Sequence, residues 1–237
     1  MARKKGVLRT ILLLAMVLAM IVPAAANAAT SKSVDLGAYA SAVRESANGD
    51  YVYCDVFAGS MKFSWHEAGS PQMKGNDKNV GVSIQEVFTQ GTTDESDDVM
   101  RVTYGYVSGY DAGITKRLTG AKAVAVIDAV VEEYMLVDIH DPDMNEAPVP
   151  FNTYTDTITV NVNWVGTGAL MTERFASRIS TPTGRAIDHR TWTHRAATVS
   201  GSVVVGSGRL SFGSQELFGE LYSSKYDSVQ IGEPWVE

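Results

Sequence analysis

Asp156-Thr157-Ile158-Thr159-Val160-Asn161-Val162-Asn163-Trp164-Val165 alternates strictly between polar and apolar side chains up to Trp164. In an extended strand successive side chains point to opposite faces. Ile158, Val160, Val162 and Trp164 therefore share one face, and Thr157, Thr159, Asn161 and Asn163 share the other. A helix would scatter the four apolar groups around its axis. The stretch predicts a half-buried strand.

The same period recurs in both directions. Met61, Phe63 and Trp65 alternate with Lys62, Ser64 and His66. Val80, Val82 and Ile84 alternate with Gly81, Ser83 and Gln85, and the pattern breaks at Glu86, which predicts a bulge. Met100, Val102, Tyr104 and Tyr106 form another run. Val203 and Val205 face Leu210 and Phe212 across Gly206-Ser207-Gly208, a hairpin. Residues 217–222 and 226–231 read as two more strands joined by a turn. Residues 121–137 begin small and apolar on both faces, which predicts a central strand buried between layers. Leu36, Tyr39, Ala40, Val43 and Ala47 line one helical stripe ended by Asn48-Gly49, so one short N-terminal helix is expected. No βαβ rhythm appears. The expected fold is all-β: an antiparallel β-sandwich of jelly-roll or Ig-like type, with a barrel as the other way to close such strands.

The chain opens with Arg3, Lys4, Lys5 and Arg9, then an apolar run from Ile11 to Val22, then Pro23 and the small residues Ala24 to Ala29. The run is shorter than the roughly 20 apolar residues a membrane span needs. A cationic start, short apolar middle and small-residue end make a secretory signal peptide, with cleavage expected after Ala28. Residues 1–28 are thus expected to be removed and 29–237 to form a single β domain. The alternative is two β domains split near 138–155, where Pro142, Pro148 and Pro150 cluster.

Removing the four basic residues of the signal leaves 16 basic against 27 acidic residues, a net charge of −11. That disfavours polyanionic partners, both nucleic acid and anionic membrane. With no second apolar run of membrane length, the mature chain is expected to be free of the membrane. Cys54 is the only cysteine, so no internal disulfide forms, and its place between Val52 and Val56 predicts a buried thiol.

Two constellations could carry chemistry. Asp141, Asp143 and Asn145 alternate oxygen ligands as a calcium loop does, although Glu146 and Asn152 stand where an EF-hand needs Gly and Glu. A weak Ca²⁺ site is one reading, a solvated acidic connection the other. The segment 172–195 holds Arg174, Arg178, Arg185, Arg190 and Arg195 with Trp192. Ser180-Thr181-Pro182-Thr183-Gly184 should turn it into a hairpin arm, polar on both faces and therefore at an edge. Arg174, Arg178, Arg190 and Trp192 are the candidate ligand-binding residues, toward a glycan or a protein surface. No G-x-S-x-G, H-E-x-x-H or P-loop occurs, so no catalytic residue is assigned. The leading expectation is a secreted, non-enzymatic β protein with a binding or structural role. A polysaccharide hydrolase with scattered carboxylates and a self-associating surface subunit are the alternatives.

Overall fold

The computed structural model describes residues 28–45, 50–89, 97–136, 148–206, 208–212 and 216–232. Every element within them is a strand: β1 (Ala28–Glu45), β2 (Tyr51–Glu67), β3 (Met73–Phe88), β4 (Val99–Ser108), β5 (Gly120–Met135), β6 (Asn152–Gly166), β7 (Met171–Ser180), β8 (Gly184–Val205), β9 (Gly208–Phe212) and β10 (Glu216–Gly232). The signal sequence and the candidate calcium ligands Asp141, Asp143 and Asn145 lie outside the described residues.

The strands close into a ring. The order is β10-β1-β2-β3-β4-β5-β6-β8, and β8 pairs in turn with β10. Every pairing is antiparallel. One edge of β8 meets β6 along 197–205 and β7 along 185–194. Its other edge meets β9 along 201–205 and β10 along 184–196. So β6 and β7 run end to end as one interrupted strand, as do β9 and β10. The path is an up-and-down barrel whose last strand returns to its first. The expected pair of facing sheets is therefore replaced by one closed wall. Alternation along a strand is identical in both designs; only the β1–β10 and β8–β10 pairings distinguish them.

The expected N-terminal helix is strand β1 instead. Ala38, Ala40 and Ala42 are fully buried, so the segment follows period two as well as the helical stripe, and pairing to β2 and β10 over its whole length overrides alanine's helix preference. The expected central strand is not buried on both faces. In β5, Ala121, Ala123, Ala125, Ile127 and Ala129 point inward, while Val124 and Val126 are 48% and 65% exposed. A single-layer wall has only one inside. No register shift occurs at Glu86, and residues 216–232 form one strand, not two.

The interior is filled, small residues alternating with large ones as a narrow barrel requires. Trp164 is 1% exposed, and its indole Nε1 donates to the Tyr39 carbonyl at 3.0 Å. Cys54 is fully buried, and burial pushes its thiol pKa up to about 12. One end is plugged by the β4–β5 connection, whose Ala112 and Leu118 join the core. At that level β4 and β5 stop, but β3, β2, β1, β10, β8 and β7 continue beyond it as an open, six-stranded skirt. Ten strands from both sides of 138–155 share this one sheet.

Candidate functional site

The opposite end of the barrel is the mouth. Residues directly opposite in an antiparallel pair share a face. Cys54, Ile84, Thr103, Val131 and Tyr154 are such partners across β2 to β6, and they face inward. One step nearer the mouth, Val52, Glu86, Arg101, Glu133 and Asn152 form the next row. Glu86 thus continues the alternation inward. It breaks the apolar pattern because it meets Arg101, whose Nη1 is 3.5 Å from its Oε2.

These rows bound a cavity of about 300 Å³. Its walls are apolar: Val52, Ile84, Val131, Val203, Val205 and Leu210. Thr103 lines it too, is fully buried, and its Oγ1 has no hydrogen-bond partner. An unpaired buried hydroxyl costs roughly 1–3 kcal/mol. Folded proteins leave few such groups unpaired.

The rim is charged. Arg101 Nε and Nη2 both lie 2.9 Å from Glu133 Oε1, and its guanidinium sits 4.9 Å over the Phe88 ring. Burial works against the Arg101 charge, but the hydrogen bond to Glu133 and the surrounding groups outweigh it and raise the pKa. Glu133 is held below the ordinary carboxylate value, first by the Asn152 amide at 2.9 Å and then, against the opposing effect of burial, by Arg101. Arg44 and Arg209 also line the cavity. Arg44 Nη1 donates to the Arg209 carbonyl at 3.2 Å, and among the described residues neither guanidinium forms an ion pair. The mouth therefore offers two cations without an ion pair above a largely apolar pit, with the carboxylates of Glu86 and Asp156 lining the same cavity.

Sequence reasoning missed this site. Its members come from β1 to β6, β8 and β9, and no segment contributes a motif. Glu86 was a visible signal, since it breaks an alternation; Arg101 and Thr103 were not, because they occupy the polar positions of a run whose Tyr104 and Tyr106 face outward, 43% and 52% exposed, while Thr103 is buried.

The four arm residues are not brought onto one surface. Arg174 and Arg178 face the barrel-axis side of the skirt; Arg190 and Trp192 face its outside, as the registers of β7 and β8 require. The hairpin forms at 180–185 as expected, with Thr181 N donating to Gly184 O at 2.8 Å. β8 is flanked by β7 and β10 rather than standing at an edge. It can be polar on both faces because both faces of the skirt meet solvent. On the outside Trp192 packs on Tyr222 (ring centroids 5.9 Å) and edge-on to His194 (6.3 Å), with Arg190 5.3 Å above it. Tyr222 in turn lies flat on Gly37, where a Cβ would meet its ring at 2.0 Å. Trp192 is half-buried bracing. No group of three or more metal-ligating side chains occurs among the described residues.

No family model matches the chain, and no curated protein matches it. Among solved structures it is similar to the beta domain of the Bordetella autotransporter Brka, at 10% identity and a TM-score of 0.15, covering 87% of this chain and 99% of that one. The expectation of a chain without a membrane partner is corrected. It rested on helical spans and on net charge. No helix among the described residues is long and apolar enough to cross a membrane, but a closed ring of strands is the other architecture that enters bilayers, and net charge conceals how the charges are distributed.

Proposed function

We propose that this is an exported, non-enzymatic binding protein whose barrel mouth takes a small amphipathic anion. The observation that supports it is a cavity of about 300 Å³ with largely aliphatic walls beneath Arg44 and Arg209, neither of which forms an ion pair among the described residues. That volume is at the small end of ligand sites, which run from about 300 to 1,000 Å³. An alkyl body fits the Val and Leu walls, and a carboxylate head meets Arg44 and Arg209 at the rim.

Titration calorimetry with decanoate, and with decylamine as the matched cation, tests this. Decanoate is expected to bind and decylamine not. Arg44→Ala should weaken decanoate binding about tenfold, the worth of one charge-assisted hydrogen bond. Equal binding of both amphiphiles, or of neither, overturns the reading.

A further inference from the structure

The skirt separates its charges by face. On the barrel-axis side, one row of register partners across six strands is Asn76, Lys62, Val34, Lys225, Thr191 and Arg174. The next row outward is Lys74, Ser64, Lys32, Asp227, His189 and Ala176. Beyond it stand Arg178, opposite Ile187, and Arg185, opposite Ile231. Lys32, Lys62, Lys74, Lys225 and the three arginines are exposed. The only acid in these rows is Asp227, 3.3 Å from Lys32. The other face of the same strands reads Asp77, Met61, Asp35, Ser224, Trp192 and Glu173. A protein of net negative charge thus carries one cationic sheet face.

The spread of the cations and the apolar residues among them select the partner. Measured along the sheet, strands about 4.8 Å apart and rows about 7 Å apart distribute the cations over roughly 24 by 20 Å. A linear polyanion meets one line of such cations, whereas many separate headgroups can meet cations on several strands at once. Val34 and Val229, 39% and 44% exposed, stand among the lysines. Exposed valines gain nothing from a hydrated polymer but can enter the boundary below phosphates, while lysine stems lie alongside them and keep their ammonium groups at the surface.

We propose that this face docks on an anionic phospholipid surface. Each Lys or Arg near such a surface is worth about 1 kcal/mol, roughly fivefold in partitioning. Flotation with phosphatidylcholine vesicles, and with vesicles containing 30% phosphatidylglycerol, tests it on the mature chain. Binding is expected only to the anionic vesicles, and it should fall steeply between about 0.05 and 0.5 M salt. The triple variant Lys62→Glu/Lys225→Glu/Arg174→Glu should lose more than roughly a hundredfold in partitioning, three cations at about fivefold each. Lys122→Glu, exposed on the barrel wall, should bind normally. Equal binding to neutral vesicles, absence of binding to anionic ones, an unaffected triple variant, or preference for soluble polyphosphate over the vesicles overturns it. Should the triple variant not fold, the salt dependence and lipid selectivity of the unaltered chain decide.

Discussion

At the residue scale, two tryptophans separate core from brace. Trp164 fills the barrel interior and is hydrogen-bonded across it. Trp164→Ala should cost about 3–5 kcal/mol, measured by urea unfolding. Trp192 is half-buried and makes two ring contacts and one cation–π contact. Trp192→Ala should cost about 1–2 kcal/mol, since each such contact is worth roughly 0.5–1.5 kcal/mol and part of the ring is already wet. The sequence placed Trp164 correctly, because its own strand alternates. It could not place Trp192 against Tyr222, a partner 30 positions away that only the β8–β10 register supplies. Gly37 makes the same point. Gly37→Ala drives a Cβ into the Tyr222 ring and should destabilise by about 1–3 kcal/mol. Pairing it with Tyr222→Ala should cost less than the two changes added together. Additivity in that double-mutant cycle would mean the ring does not lie on the glycine.

At the element scale, three strands are tied at the mouth by one arginine. Arg101 on β4 holds Glu86 on β3 and Glu133 on β5. Glu133 has its folded pKa below the ordinary 4.5. A depressed carboxylate stabilises the fold above its unfolded pKa, and that contribution is lost as pH falls through the folded value. Urea midpoints should therefore hold from neutral pH to about 5 and decline below about 4.5. Glu133→Gln should start lower and decline less; an unchanged acid limb in that variant would remove Glu133 from the account. Legibility varies among elements for physical reasons. β6 is plain because its inside is branched and its outside is polar. β1 reads as a helix because the barrel interior needs small groups there, and the smallest, alanine, carries the strongest helix preference. β5 reads as doubly buried because its outward Val124 and Val126 are as apolar as its inward side.

At the scale of the whole molecule, closure is carried by pairs far apart in sequence, and composition says nothing about them. The all-β, antiparallel character was legible from turns and alternation; the ring was not. Net charge likewise says nothing about distribution: the chain is −7 in total, yet the skirt collects cations on one face. Deleting β10 removes the neighbour shared by β1 and β8. The shortened chain should lose its cooperative thermal transition altogether, rather than melt a few degrees earlier. The β1–β10 pairing also carries a kinetic consequence. Its register joins Ala28 to Ile231, so the seam of the ring is its most non-local contact. Entropy of loop closure makes such contacts late and slow. A chain that emerges from its N-terminus is therefore an unclosed sheet in which β1 and β8 each lack one neighbour. It seals only when β10 arrives, so the pairing that closes the ring also leaves the chain open until that strand is delivered.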